Sequence, residues 1–215
     1  MTKVLKAGLL IITLVVPALF FLFLQVFTTN HYDVPYFHPV KDLAGRAIVA
    51  HGDTIYYEVM PTRIKSIDNK VFPKEYLKGG LTVVSYLPRD CKDSCRIVFS
   101  QLERIYALRN SIPDVRLLTI AETVPFLGDR FPGNLGGNAW KIGVVSEMNR
   151  DSVLNIDFRF NTKVPKSKTN SIERKLILID RQGHIRGYYI GTDNDEIDRL
   201  MAEIKILDYE NKNRL

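Results

Sequence analysis

Two cysteines, Cys91 and Cys95, stand three residues apart in the stretch "SYLPRDCKDSCRIVF", and the chain has no others. Thiols at that spacing can exchange electrons with another disulfide, hold a soft metal between two thiolates, or staple a loop. The neighbouring residues narrow the chemistry. The apolar run Leu81 to Leu87, set between a glycine pair and a proline, is the pattern of a strand buried on both faces. From Ser94, apolar residues at Val98, Leu102 and Ile105, with Phe99 and Tyr106 offset, predict a helix that Pro113 closes.

Cys91 is then expected in the turn after the strand and Cys95 within the first turn of the helix. A helix N-terminus carries partial positive charge, and Lys92 and Arg96 add full charges, all of which favour thiolate; Asp90 and Asp93 oppose them. Disulfide oxidoreductases of the thioredoxin type use Cys-x-x-Cys. Here the extra residue still permits a disulfide but also leaves room for a cation. Cu(I) suits two thiolates, and a histidine would complete a three-coordinate site. A structural disulfide, or two buried inert thiols, is the plainer alternative.

The elements around this turn are legible in order. "GDTIYYEV", with Ile55, Tyr57 and Val59 on one side, and "RIKSIDNKVF", turning at Asp68-Asn69, read as two strands before the buried one. After the helix come the strand "DVRLLTIAE", the Gly/Pro loop "ETVPFLGDRFPGNLGGN", the strand "AWKIGVVSE" and the short helix "RDSVLNIDF". "KLILID" and "HIRGYYIG" form a hairpin around Arg181-Gln182-Gly183, and an acid-started helix, "DNDEIDRLMAEIKIL", ends the series. Tyr188 and Tyr189 alternate along their strand, so one is expected inward and the other outward. A buried strand delivering cysteines to a helix N-terminus within this order is an α/β, thioredoxin-like fold.

Ahead of the domain, Ala7 to Phe27 runs 21 residues without a charge. At helical rise that spans roughly 30 Å, the thickness of a bilayer core. The run is too long for a signal-peptide core, and no small-residue cleavage site follows. It is therefore read as a single transmembrane helix. Lys3 and Lys6 precede it and no Lys or Arg follows closely, so the N-terminus is expected in the cytoplasm and the remainder outside it, periplasmic or otherwise extracytoplasmic, where disulfides persist. The expected organisation is an anchor over 1–28, an extended stalk over 29–51 and a thioredoxin-like domain over 52–215. The net charge of +6 falls by two without Lys3 and Lys6, and no basic stripe interleaves with aromatics, which argues against nucleic acid.

With the anchor, "GDTIYYEV", "VVSYLPRDCKDSC" and the closing "LILIDRQGHIRGYYIGTDNDEIDRL" in place, the chain resembles the Sco (SCO1/SenC) family of membrane-anchored thioredoxin-fold proteins. The likeness spans most of residues 52 to 200. It implies Cu(I) bound by Cys91 and Cys95, or thiol redox chemistry through the same pair, in assembly of a cytochrome c oxidase. The partner is then a cytochrome oxidase subunit or a thiol-disulfide client. A non-catalytic scaffold in a membrane complex is the remaining alternative.

The departures are specific. The family's copper-ligand histidine precedes the strand that here reads "KLILID", where this chain has Asn170, Ser171 and Ile172. Prolines around the family's cysteines are replaced by Lys92 and Arg96, and the acidic residue after "LLTIAE" is shifted or lost. Among substitutes, His184 is expected at the far end of its strand, roughly 15 to 20 Å away, as a surface turn residue. His31, His38 and His51 lie in the lead-in, and Met148 is a soft donor at a position that suits core packing. "GNLGGN" lacks the context of a phosphate loop. "KVPKSKTNSIERK" reads as a solvated basic connection able to dock an acidic partner.

Overall fold

The computed structural model describes residues 12–23, 33–90, 93–122, 139–163 and 171–213. The chain divides into two units, Met1–Asp33 and Val34–Leu215. In the first, residues 12–23 form a helix, α1, whose large apolar side chains are exposed, Leu14 at 70% and Phe20 at 62%. Among the described residues no helix is long and apolar enough to cross a membrane. The run expected to span one extends past α1 at both ends, outside the described residues.

The second unit is built on one six-stranded sheet. A short hairpin, β1 (Val49–Ala50) and β2 (Asp53–Thr54), stands apart from it. The sheet comprises β3 (Lys65–Ser66), β4 (Leu81–Leu87), β5 (Val115–Ala121), β6 (Trp140–Val144), β7 (Lys175–Ile179) and β8 (Ile185–Ile190), in the order β3-β6-β5-β4-β7-β8. β4, β5 and β6 are parallel, while β3, β7 and β8 run antiparallel to their neighbours. Helix α2 (Asp93–Tyr106) connects β4 to β5, α3 (Glu147–Ser152) runs into a π-turn over Val153–Asp157, and α4 (Asn194–Asn213) follows β8.

Strand alternation sorts the core into two layers. On one face Val83, Leu117, Leu176, Leu178 and Tyr189 pack against Val98, Leu102 and Ile105 of α2 and Ile197, Leu200 and Ile204 of α4. On the other, Val84, Leu118, Ile120, Ile177 and Tyr188 pack against Val153, Leu154, Phe158 and Phe160. Every residue of β4, β7 and β8 is therefore buried. This corrects the expectation for the tyrosine pair. Neither faces solvent, because α4 covers the face on which Tyr189 stands, and its hydroxyl donates to Glu203 there.

Three further expectations are corrected. "GDTIYYEV" forms only the two-residue β2, followed by bridges at Tyr56 and Glu58. The lead-in is no extended stalk from Val34 onward. Val34 is buried, Phe37 N–H donates to Ile185 O at 3.0 Å, and Pro39 bridges to Tyr56, so this segment adds apolar cover to the sheet. Met148 is not core but 92% exposed on α3. The "RIKSIDNKVF" turn stands as expected, with Asn69 at φ 60° closing it and Ser66 N–H donating to Lys70 O at 2.7 Å.

Gly187 is the tightest point of the hairpin. A Cβ there would lie 2.1 Å from the Tyr189 hydroxyl oxygen and 2.5 Å from its ring carbon. That ring is buried and tethered to Glu203, so it cannot swing aside. Gly187→Ala is expected to destabilise the domain by about 1–3 kcal/mol through overpacking. Urea unfolding midpoints of the two proteins check this; equal midpoints would contradict it.

Candidate functional site

Cys95 is the third residue of α2, as its spacing predicts, and only 5% exposed. It is disulfide-bonded, and Cys91, the chain's one other cysteine, lies outside the described residues, as does Lys92. Cys95 packs on Leu87, Ala121 and Ile142, with Phe99 one helical turn along. Leu87 and Ala121 end β4 and β5, and Ile142 lies in β6, so the carboxyl ends of the parallel strands converge on the cysteine-bearing turn. In open α/β sheets this edge is where ligands and reactive groups collect. The strands are held in register beneath it by Ser85 Oγ against Thr119 Oγ1 at 3.0 Å, with Trp140 Nε1–H donating to the same Thr119 oxygen at 3.1 Å.

A polar network absent from the sequence reading occupies the opposite face of the same edge. The Tyr86 hydroxyl donates to Glu122, and Arg150 NH1 stands 3.6 Å from the same carboxylate oxygen. Glu122 directly follows β5, so an acid does stand after "LLTIA", directed toward Tyr86. Burial, then the Glu122 carboxylate, push the Tyr86 phenol far above its ordinary pKa. Glu122→Gln is expected to bring one tyrosine into titration at lower pH. Alkaline phenolate absorbance measures it, with Tyr86→Phe assigning the signal; an unchanged curve would contradict the network.

The antiparallel register of Ser85 with Leu176 brings the start of β7 to this edge as well. Lys175, 1% exposed, donates from Nζ to Phe160 O at 2.6 Å and Thr162 O at 2.8 Å, and burial lowers its pKa. Just before it, the turn Ile172–Arg174 packs against α2 and β4. The segment in which the resemblance places a histidine thus adjoins the cysteine-bearing helix, and its described members are Ser171 and Ile172. Asn170 lies outside the described residues.

Two of the histidines, His38 and His184, have partners away from the cysteine-bearing turn. His38 Nε2 is 2.7 Å from the Tyr188 hydroxyl and 3.3 Å from Thr162 Oγ1. His184 sits at the β7–β8 turn, the far end of the sheet, as expected. It is not a bare surface residue, since its ring lies edge-on to Tyr36 at 5.8 Å and near Tyr56, with Nδ1 3.8 Å from Asp180. His51 is exposed beside the β1–β2 turn, and His31 lies outside the described residues. No group of three His, Cys, Asp or Glu side chains able to hold a metal occurs among the described residues. "GNLGGN" and most of the basic connection also lie outside them.

The central sheet, with helix α2 carrying Cys95 directly after β4, is a mixed α/β, thioredoxin-like fold. Within that class the fold is the one Sco proteins have. A SCO1/SenC family lipoprotein from Bacillus anthracis superposes with a TM-score of 0.54 at 17% identity, over 71% of this chain and 95% of its own. BsSco, a member of the Sco family of cytochrome c oxidase assembly proteins in which a disulfide switch was identified, gives 0.52 at 18% identity, over 70% and 93%. No protein-family model and no curated protein matches the sequence. At these identities the likeness is one of fold.

Proposed function

We propose that this chain is a membrane-anchored, Sco-like thiol redox protein in which Cys91 and Cys95 cycle between dithiol and disulfide. The observation that carries the reading is the disulfide-bonded state of Cys95 in the first turn of α2, at the sheet edge where the strands converge. A bond at C-x3-C spacing is a weak staple. Closing a loop of about five residues restricts the unfolded chain by only about 2 kcal/mol, so stabilisation alone is a modest reason for it.

Cys95 is buried, which suits it to resolve rather than attack. In the forward direction the Cys91 thiolate attacks a client disulfide, forming a mixed disulfide and expelling one client thiolate. The Cys95 thiolate then attacks the Cys91 sulfur and expels the second. Two electrons reach the client and the protein leaves oxidised. The positive end of α2 stabilises the thiolates in the reduced form.

Cu(I) handling is the second reading, favoured by the Sco fold and by the softness of two thiolates. Copper would be cargo of the reduced pair, with the third ligand supplied by the partner, because His38 and His184 are committed elsewhere. An oxidase subunit or another extracytoplasmic protein is the client. The anchor is the apolar run containing α1, whose exposed side chains suit lipid.

The deciding experiment equilibrates the full chain in detergent with dithiol/disulfide buffers and counts free thiols, beside the Cys91→Ser, Cys95→Ser double variant. Reversible two-electron cycling of the wild type is the expected result. A disulfide that exchanges only after denaturation would sink the redox reading. Cu(I) titration of the reduced protein against a competing chelator then tests cargo binding; one-to-one binding lost in the double variant is the outcome that supports it.

A further inference from the structure

A cationic cluster without a carboxylate partner lies between the lead-in and the turn after the π-helix. The Arg159 guanidinium carbon stands 4.6 Å from the centroid of the Tyr57 ring. Its Nε is buried with no hydrogen-bond partner, and no acid pairs with it among the described residues. The nearest candidate is taken, since Arg63 Nε donates to Asp157 Oδ2 at 2.8 Å and NH2 reaches the other oxygen. The Arg159 charge acts on His38 and Tyr188, which with Thr162 are joined through His38 Nε2. Behind the turn the buried Lys175 amine is bound, among the described residues, to the carbonyls of Phe160 and Thr162.

The backbone is bent to make this arrangement. His38 at φ 57° and Arg159 at φ 56° are both non-glycine residues in the left-handed region, one on each side of the cluster. Such conformations cost on the order of 1 kcal/mol or more each and collect at ligand sites. Tyr57 fixes the floor, its hydroxyl donating to Ile156 O at 3.3 Å and Asp157 O at 3.2 Å. A buried guanidinium N–H with nothing to donate to is an unmet demand that a bound anion satisfies.

We propose that Arg159, with His38 and Thr162 facing it above Tyr57, forms a binding site for a single oxyanion, a carboxylate or phosphate group, separate from the cysteine pair. Arg159 supplies the charge and an unpartnered Nε–H, the Thr162 hydroxyl a second donor, and His38 Nε2, already shared between Tyr188 and Thr162, holds that hydroxyl in place. An anion there also offsets the Arg159 charge that acts on His38. The neighbouring Asp157–Arg63 pair is neutral as a unit and leaves the Arg159 charge uncompensated.

The test titrates inorganic phosphate, and separately acetate, into the full chain in detergent at constant ionic strength, following the His38 ring resonances by NMR. Saturable shifts of His38 with one or both anions are expected, phosphate alone indicating a phosphate ligand and both a general oxyanion site. Arg159→Asn keeps a residue tolerant of positive φ and is expected to weaken binding by roughly tenfold or more. If that variant fails to fold, the wild-type His38 shifts still decide. Non-saturable drift, or binding of unchanged strength in folded Arg159→Asn, would overturn the site.

Discussion

Asp180→Ala is expected to lower stability by about 3–5 kcal/mol, the cost of breaking a buried ion pair. Asp180 and Arg186 are both almost fully buried, with Arg186 NH1 3.1 Å from Asp180 Oδ2. The other carboxylate oxygen accepts from the backbone N–H groups of Gln182 at 3.0 Å and His184 at 2.9 Å, which shapes the β7–β8 turn. Arg186 in turn donates to Val34 O and Pro35 O and lies 3.7 Å from the Tyr36 ring centroid. Removing the carboxylate strands a buried guanidinium and loosens the lead-in with the turn.

The same group sets an acid limit. Burial pushes the Asp180 pKa up, but the His184 imidazole and backbone N–H and the Arg186 guanidinium outweigh it, and the net shift is downward. A carboxylate depressed in the folded state binds fewer protons there than when unfolded. Its stabilisation is complete above the ordinary carboxylate range and is lost as pH falls through the folded value. Denaturant unfolding of wild type and Asp180→Ala at neutral and strongly acidic pH should therefore show a gap that narrows in acid. A gap independent of pH would contradict the assignment.

The second large effect concerns the cysteines. On the proposed redox function, replacing Cys95 by serine leaves a Cys91 mixed disulfide with no internal thiol to resolve it, so the protein should accumulate covalently bound to a disulfide client. Turnover should fall to the level of the double-serine variant. Cys91→Ser should be equally inactive yet form no adduct, because Cys95 is buried. Non-reducing electrophoresis with mass spectrometry distinguishes them. Adducts on Cys95 rather than Cys91 would reverse the roles assigned to the pair.

What the sequence by itself determined is everything that local periodicity and spacing encode. The apolar run of Leu81 to Leu87 had to be a doubly covered strand, Val98, Leu102 and Ile105 had to form one helical face, and Cys95 had to fall in that helix's first turn. Apolar burial and helical spacing act over a few residues, so such features are readable without partners. Tertiary structure alone decided what long-range neighbours control. Tyr189 is buried because α4 folds over it, Val34 to Pro39 pack on the sheet because Arg186 and Ile185 bind them, and Glu122 meets Tyr86 across two strands. The grouping of Arg159 with His38, 121 positions apart in the sequence, belongs to the same class. Nothing in the types or spacing of those residues announces it, because only the folded domain brings the two segments together.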